Sequence, residues 1–268
     1  MEKNIYKSIS IIIPTYNEES NIKLLVERIH AAFSKENIAY EIIFIDDHST
    51  DNTQSIIRDL SFIYPIILSE KKGKRGKAFS ITEGIRLAQF DAVAMIDADL
   101  QYPPEALPSM LKRLESADVV VANRKKYKDS LIRKVLSNTF RFIFGKFMFG
   151  LLHDIQSGLK VFTKEVVDTL KFEPSSGWTF DLEFLHRARQ AGFSIQNFDI
   201  EFLKRTNGES KLNFIKQTFE IGTNSLLVRA KRIHPAHIPP KRAGSMLDAG
   251  IGFKKRKYIT HTTIPHYA

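Results

Sequence analysis

The stretch Asp91–Glu105, with the sequence DAVAMIDADLQYPPE, decides the fold that we predict for this chain. Its apolar first half suits a buried strand, and the two prolines at 103–104 prevent that strand from continuing. Asp97 and Asp99 follow the apolar run directly. Because open α/β sheets bind ligands at the carboxyl ends of their strands, the stretch predicts a ligand site at the rim of a sheet.

The carboxylates of Asp97 and Asp99 are candidate metal ligands. Two carboxylates this close repel each other unless a divalent cation or a proton lies between them. Mg²⁺ or Mn²⁺, held at the same time by phosphate oxygens of a substrate, would relieve that repulsion. An ordinary acidic turn is the more common explanation of Asp-x-Asp taken alone, so the motif needs support from the rest of the chain.

Apolar runs and helical patterns alternate around this strand in the order β-α-β-α-β-α-β. That order predicts an α/β fold with a parallel sheet and right-handed crossovers. The expected strands are 9–13, 41–45, 65–68, 92–96, 118–122, 161–162 and 195–202, and the expected helices are 20–33, 50–60, 78–88, 178–191 and 213–230.

Polar clusters follow three of the predicted strands, at 14–18, 46–49 and 97–101. Parallel strands would bring these clusters to the same edge of the sheet, which favours a site for a nucleotide and a metal. No GxGxxG sequence follows the first strand, so a dinucleotide-binding fold of the Rossmann type is unsupported.

Two groups of charged residues keep two interpretations each. The basic loop KKGKRGK at 71–77 offers Gly76 and Lys77 as phosphate contacts, although a solvated loop is the more common explanation. Asp181 and Glu183 stand near the start of a predicted helix. They are either helix N-terminal charges or functional carboxylates.

Composition limits the class of protein. The 268 residues suit one large α/β domain with an appendage, or two small domains. The contents of 43% hydrophobic and 26% charged residues are typical of soluble proteins. The absence of cysteine excludes disulfides, thiolate metal sites and a cysteine nucleophile. No apolar run approaches the roughly 18 residues of a membrane span, so we expect no transmembrane helix in this sequence.

Positive charge is concentrated in two regions of a chain whose net charge is +10. Residues 124–146 hold 8 Lys and Arg against 1 Asp, and residues 201–268 hold 13 against 4 acidic residues. Within 129–153, phenylalanines alternate with cations, which is typical of helices in a membrane interface; a helix packed into the core is the alternative. Residues 234–268 predict a basic tail that is partly disordered, surface-bound or a linker to a missing region.

Seven motifs occur in the order seen in family 2 glycosyltransferases. They are PTYNE at 14–18, IDDHSTD at 45–51, GK at 76–77, DADLQYPPE at 97–105, QSGLKVF at 156–162, FDLEFLHRARQAGF at 180–193 and RTNGESKLN at 205–213. The chain resembles the dolichyl-phosphate mannose synthase and polyprenyl-phosphate glycosyltransferase branch. The resemblance implies a GT-A fold, with a mostly parallel central sheet flanked by helices, over residues 1–233. It also favours interface helices at 129–153.

Family roles carry over where the residues match. The nucleotide-sugar site would comprise Pro14, Tyr16, Glu18, Ile45, Asp47, Lys77, Asp97, Ala98, Asp99, Arg124, Arg205 and Lys211. The metal, Mg²⁺ or Mn²⁺, would be held by Asp97, Asp99 and Gln101. The acceptor phosphate would contact Arg133 and Ser137, and the catalytic roles would fall to Asp99, Arg133 and Arg205.

The implied reaction is inverting transfer of a hexose, mannose or glucose, from a GDP- or UDP-sugar to a polyprenyl phosphate. The implied location is the cytoplasmic face of the cell membrane. Many bacterial members append two transmembrane helices, which this sequence lacks. We therefore expect peripheral attachment through the interface helices and the basic tail, or through a membrane partner or a missing C-terminal region. The sequence is also compatible with a homo-oligomer.

Two other functions have some support in the sequence. A family 2 enzyme that acts on a saccharide or lipid hydroxyl would need a carboxylate base, which Asp181 or Glu183 could supply. A non-catalytic nucleic-acid-binding module would use the basic C-terminal region, but it leaves the three strand-end clusters without a purpose. We therefore expect no nucleic-acid partner.

Overall fold

A computed structural model describes residues 6–125, 154, 157–171, 173, 174, 176 and 180–203. These residues form a sheet of seven strands. The strands are β1 Ser8–Thr15, β2 Ala39–Asp46, β3 Ile66–Glu70, β4 Ala92–Met95, β5 Val119–Lys125, β6 Lys160–Thr163 and β7 Ile195–Glu201.

The sheet is mostly parallel, and its strand order is β3-β2-β1-β4-β6-β5-β7. Every neighbouring pair is parallel except those that involve β6, which runs antiparallel to both β4 and β5. The α/β prediction with its parallel first half is confirmed. The reversal of β6 was not predicted, because two apolar residues in a short strand carry no sign of direction.

Helices connect and cover the strands. They are α1 Glu19–Glu36, α2 Thr53–Ser61, α3 Lys77–Leu87, α4 Leu107–Arg113, α5 Lys164–Leu170 and α6 Phe180–Gln190, with a 3₁₀ turn at Pro104–Ala106. The 3₁₀ turn, α4 and α5 were not predicted. Pro104 and Pro108 stand in the first two positions of the 3₁₀ turn and of α4. Proline is tolerated there, so these prolines begin helices. β4 ends at Met95, well before them, so the expectation that the prolines at 103–104 stop that strand is wrong.

The side chains of β1 divide the core into two layers. Ile9, Ile11 and Ile13 pack on one face of the sheet in a cluster that includes residues of α1. Ile12 points to the other face, where α3 and α6 lie. Successive side chains of a strand alternate between faces, so this β-branched run is buried on both sides of the sheet.

The reversal of β6 positions the site. In the register between β4 and β6, Met95 pairs with Lys160 and Ala92 pairs with Thr163. The beginning of β6 therefore lies beside the carboxyl end of β4. One edge of the sheet, here called the carboxyl-end edge, combines the ends of the parallel strands with the start of β6.

Among the helices of the described ranges, none has the length and apolar character needed to cross a membrane. The interface helices predicted at 129–153, the helix predicted at 213–230 and the basic tail at 234–268 lie outside the described residues.

Candidate active site

Asp97 and Asp99 lie just beyond β4 at the carboxyl-end edge. Lys77, the first residue of α3, places its Nζ 2.5 Å from Oδ1 of Asp97. Asp99 is 8% exposed and accepts a hydrogen bond of 3.2 Å from the backbone N–H of Gln101. Leu100 has a φ of 59°, a left-handed conformation that folds the turn back on Asp99.

Burial and the neighbouring charges together set the electrostatics of this turn. Burial raises the pKa of Asp97, Lys77 counteracts the rise, and the charges of Asp99 and Asp181 add to it, so the pKa stays above its usual value. Burial lowers the pKa of Lys77, but Asp97 and Asp181 together raise it above its usual value. The cluster therefore carries more carboxylates than cations, even when the nearby Lys160 is counted.

The donor set of this turn fits a hard divalent cation. Asp97 and Asp99 supply carboxylate oxygens, which Mg²⁺ and Mn²⁺ prefer, and a cation between them would relieve their repulsion. Within the part of the chain that the structure describes, no three His, Cys, Asp or Glu side chains form a complete metal site. Further oxygen ligands would have to come from elsewhere, and substrate phosphates are one source.

Hydrogen bonds join the loop after β1 to the loop after β2. The backbone N–H of Asn17 donates to Oγ of Ser49 at 2.9 Å, and Oδ1 of Asn17 accepts from the N–H of Thr50 at 2.7 Å. The N–H of Glu18 donates to Oγ1 of Thr53 at 2.8 Å. The polar clusters at these two strand ends therefore form one continuous surface.

Asp46, the last residue of β2, is fully buried beneath this surface. Its carboxylate accepts hydrogen bonds from the N–H of Ser49 at 3.0 Å, from the hydroxyl of Ser49 at 2.5 Å and from Nε2 of Gln54 at 2.7 Å. A buried carboxylate is costly unless it has such partners. We conclude that Asp46 holds the loop in shape, while the next residue faces the basic loop.

That residue, Asp47, anchors the basic loop at 71–77. Its Oδ1 lies 2.9 Å from Nζ of Lys71, and its Oδ2 accepts a hydrogen bond of 2.7 Å from the N–H of Gly76. Lys71 is 5% exposed and also donates to Oγ of Ser80 at 2.8 Å. Burial raises the pKa of Asp47, but the hydrogen bond from Gly76 and the charge of Lys71 outweigh that effect. The pKa of Asp47 therefore lies below its usual value.

Gly158 closes the other side of the Asp97 carboxylate. It packs so near that a Cβ added at this position would overlap the carboxylate group. Its N–H donates to Oη of Tyr102 at 2.7 Å, which fixes the backbone in place. The approach of β6 to β4 thus sets the orientation of Asp97 and requires a glycine.

Lys160 begins β6 and is fully buried. Its Nζ lies 2.5 Å from Oδ1 of Asp181, near the start of α6, and also donates to the carbonyl oxygen of Ser157. Burial lowers the pKa of Lys160, and the charge of Asp181 opposes that effect. A buried ion pair therefore stands beside the pair of Lys77 and Asp97.

Arg124 forms a two-pronged ion pair at the end of β5. Its Nε and Nη2 lie 2.6 Å and 3.0 Å from the two carboxylate oxygens of Asp154. The Asp154 carboxylate is fully buried, and the guanidinium lies over the ring of Phe202 at 5.3 Å. The pair was not foreseen, and contact between Arg124 and a phosphate stays a prediction.

The predicted site residues that the structure describes all gather along the carboxyl-end edge. They are Pro14, Tyr16, Glu18, Ile45, Asp47, Lys77, Asp97, Ala98, Asp99, Gln101 and Arg124. Ile45 and Ala98 are buried, so a contact from either would come from its backbone. The Gln101 amide donates to the carbonyl oxygen of Leu203 at 3.3 Å. Arg133, Ser137, Arg205 and Lys211 lie outside the described residues, and the roles of all these residues stay predictions.

Of the two carboxylates on α6, Asp181 belongs to the charged cluster described above. Glu183 is fully buried and lies 3.8 Å from Nη2 of Arg187, one helical turn further on. This position favours a structural role for Glu183. Asp181 has a side chain that is 19% exposed, so it is the better candidate for a functional carboxylate.

Sequence reasoning missed two lysines of this site. A solvated basic loop, the more common interpretation of KKGKRGK, is wrong for Lys71 and Lys77, which are ion-paired with aspartates. Lys160 stands within the motif QSGLKVF, to which the sequence alone assigns no role for that lysine. Its signal was available, since a single lysine between the apolar residues Leu159 and Val161 would be buried with a partner.

The chain is similar in sequence to proteins of known name. Dolichol-phosphate mannosyltransferase of Pyrococcus furiosus is 30% identical over 213 residues, which cover 76% of this chain and 59% of that protein. Undecaprenyl-phosphate 4-deoxy-4-formamido-L-arabinose transferase of Photorhabdus laumondii is 29% identical over 223 residues, which cover 78% of this chain and 64% of that protein. The chain thus spans about three fifths of the length of these curated relatives.

Solved structures share the fold. Glucosyl-3-phosphoglycerate synthase from Mycobacterium tuberculosis, in complex with phosphoglyceric acid, aligns with a TM-score of 0.66 at 17% identity. The alignment covers 84% of this chain and 80% of that chain. The expected GT-A fold is confirmed. The family model described as Glycosyl transferase family 2 matches residues 10–171, more than half of the sequence. This chain therefore belongs to glycosyl transferase family 2.

Proposed function

We propose that this chain transfers a hexose, mannose or glucose, from a nucleotide-diphosphate sugar to a polyprenyl phosphate with inversion at the anomeric carbon. The observation that carries the proposal is the meeting of Asp47, Lys77, Asp97 and Asp99 at one sheet edge in a family 2 chain. The names of the two relatives above both specify a lipid-phosphate sugar transferase. Their partial coverage is why the acceptor is proposed here.

The donor nucleotide is expected to bind along the joined loops after β1 and β2. Tyr16 is 39% exposed there and offers a ring to a base or ribose. Asp47 fixes the loop that carries Gly76 and the start of α3, where backbone N–H groups and Lys77 favour an anion. We infer that the diphosphate binds beside the ion pair of Lys77 and Asp97, at the carboxylates beyond β4.

Asp97 and Asp99, with Gln101 as a further oxygen donor, would hold Mg²⁺ or Mn²⁺. A bound divalent cation would neutralise charge on the leaving diphosphate. One solved structure of the same fold, the mycobacterial synthase, was determined with Mn²⁺ and UDP-glucose. The surplus of carboxylates in this turn supports a similar requirement here.

The acceptor phosphate is largely ionised at neutral pH because its second pKa is about 6. Its oxygen forms a bond to the anomeric carbon while the bond from that carbon to the diphosphate oxygen breaks. Such an acceptor needs cations that place it in line with the leaving group. Arg133, Ser137, Arg205 and Lys211 are the proposed contacts.

We place the enzyme at the cytoplasmic face of the membrane as a peripheral protein. The support is the sequence of 129–153 and the composition of 201–268, which contains 13 Lys and Arg but only 4 acidic residues. Anionic lipid attracts such segments. Deletion of 234–268 should weaken sedimentation with anionic vesicles, and unchanged sedimentation would remove the tail from this role.

The test is direct. Purified protein is incubated with GDP-mannose, GDP-glucose or UDP-glucose, with Mg²⁺ or Mn²⁺, and with a polyprenyl phosphate in detergent. A labelled polyprenyl-phosphate sugar that disappears with EDTA is the expected product. Donor consumption without a lipid product, across all donors, would overturn the proposed acceptor. Thermal shifts with GDP and UDP would identify the nucleotide.

Transfer to a hydroxyl is the second candidate. Its support is Asp181, a partly exposed carboxylate whose charge acts on both Asp97 and Lys77. A hydroxyl acceptor needs a base, and Asp181 would be that base. Loss of transfer in Asp181→Asn, together with product formation on saccharides, would favour this candidate.

A further inference from the structure

The buried ion pair of Lys160 and Asp181 is poorly explained by stability alone. Replacing such a pair with apolar residues of similar volume is often neutral or stabilising, since desolvation offsets the attraction. Lys160 is fully buried between Leu159 and Val161, which are also fully buried. An apolar residue would suit that strand, so the lysine calls for another explanation.

The explanation lies in the surroundings of Asp181. Lys160, whose Nζ lies 2.5 Å from Oδ1 of Asp181, pairs with Met95 at the carboxyl end of β4, and Gly158, two residues earlier, packs against the Asp97 carboxylate. Asp181 therefore lies at the part of the carboxyl-end edge where we place the diphosphate, and its charge acts on both Lys77 and Asp97. Of the three carboxylates of this cluster, Asp97 and Asp99 would be neutralised by the proposed metal, and Lys77 also pairs with Asp97. Asp181 is the third, and its charge would repel an anionic acceptor, because like charges brought together cost free energy.

We propose that Lys160 determines the class of acceptor: it neutralises Asp181 and so suits the site to an anionic phosphate rather than a hydroxyl. The inference rests on the proposed function and deepens it. Lys160 is a positioning residue, because it acts through Asp181 and is itself buried away from any substrate.

The two transfers differ in what they ask of Asp181. In transfer to phosphate, an ionised oxygen bonds to the anomeric carbon, the nucleotide diphosphate leaves with the electron pair, and no proton moves to the protein. In transfer to water or an alcohol, the same bond breaks, but the attacking hydroxyl must lose a proton, which Asp181 would accept. The ammonium of Lys160 occupies Oδ1 of Asp181 at 2.5 Å and opposes that use.

The experiment measures the ratio of sugar transferred to polyprenyl phosphate to sugar released to water, at saturating donor and Mg²⁺. Both products come from the same folded enzyme, so a variant that merely yields less folded protein leaves this ratio unchanged. In Lys160→Met the ratio should fall by about tenfold or more, because Asp181 then repels the phosphate and serves as a base. Lys160→Gln keeps a hydrogen-bond donor for Asp181 and should show the same fall in the ratio. It replaces the methionine variant in the test if that variant folds poorly.

Two further variants complete the test. Lys160→Met combined with Asp181→Asn removes both charges and should return the ratio to within about twofold of the wild type. Lys164→Met is the matched control, since Lys164 follows the other end of β6 and donates to the carbonyl oxygen of Ala88 at 3.0 Å. Its ratio should equal that of the wild type.

The outcomes separate the two proposals. An unchanged ratio in both single Lys160 variants, or a double variant as low as the single ones, overturns the role of Lys160 and leaves the proposed function standing. A wild-type enzyme that transfers sugar to hydroxyls and never to polyprenyl phosphate overturns both.

Discussion

The two edges of the central sheet treat charge in opposite ways. At the carboxyl-end edge, Lys71, Lys77 and Lys160 are largely or fully withdrawn from water and each is paired with an aspartate. The opposite edge, here called the amino-end edge, contains the start of β4 and the end of β6. An open cavity of about 630 Å³ lies there among residues that include Tyr6, Asp91 and Thr163. Its carboxylates at Asp91, Glu165 and Asp168 are exposed.

The contrast shows which property marks a functional site. Charges left in water cost little free energy, whereas burying a charged pair costs free energy and often adds nothing to stability. Such pairs are therefore better explained by function. A cavity lies at the amino-end edge, yet the paired lysines and aspartates lie at the other edge. These pairs, and not the cavity, mark the candidate active site.

The largest contrast between the edges should come from Asp99→Ala. Loss of a proposed metal ligand should reduce kcat/KM for the donor by more than about a thousandfold, with the fold retained. The matched control is Asp91→Asn, at the amino-end edge, where we expect a change below about twofold. Donor consumption in Mg²⁺ and Mn²⁺ measures both, and near-normal turnover by Asp99→Ala would exclude it as a ligand.

A smaller but still large effect is expected from Gly158→Ala. The added methyl group would displace the Asp97 carboxylate, so turnover should fall by about 10- to 100-fold. Gly73→Ala is the control, because an added Cβ there has no neighbour within 4 Å. Equal activity of the two variants would show that the contact between β6 and Asp97 has no part in the reaction.

Asp47→Asn tests the buried charge at the basic loop. Removal of this partner should lower the free energy of unfolding at pH 7 by about 3 kcal/mol, because Lys71 stays buried without its carboxylate. The folded pKa of Asp47 lies below its unfolded value, so its stabilisation is complete above the unfolded pKa and is lost as pH falls through the folded pKa.

The difference between wild type and Asp47→Asn should accordingly shrink below about pH 4. Urea unfolding at pH 7 and pH 3 measures it. A difference that is the same at both pH values would show that the loop depends on the shape of Asp47 and not on its charge.

The smallest effect is expected at the amino-end edge. Asp168→Asn replaces an exposed carboxylate and should change the free energy of unfolding by less than about 0.5 kcal/mol, with turnover unchanged. Chemical denaturation and the donor assay provide the measurement. Loss of turnover in this variant would give the amino-end cavity a role and would break the contrast between the edges.

The sequence was sufficient to predict the first half of the fold and the meeting of three strand ends. Hydrophobic periodicity, apolar runs and the Asp-x-Asp sequence that follows a strand are local signals. They placed β1, β2 and β4 correctly. The resemblance to family 2 supplied roles that these local signals do not contain.

The missing elements depended on contacts between distant residues. The pairs of Asp47 with Lys71 and of Lys160 with Asp181 join residues 24 and 21 positions apart, and Arg124 pairs with Asp154 across 30 positions. No periodicity encodes such partners. The direction of β6 is set by its neighbours β4 and β5 and not by its own four residues.

The place of β6 also has a consequence for synthesis of the chain. β4 is completed at Met95, but its partner β6 begins only at Lys160, so the ribosome must add more than sixty residues before the two can pair. Until then the apolar strand Ala92–Met95 is an unpaired edge, which is a template for aggregation. Production of this protein should therefore be most sensitive to temperature and chaperone supply during that interval, before the site exists.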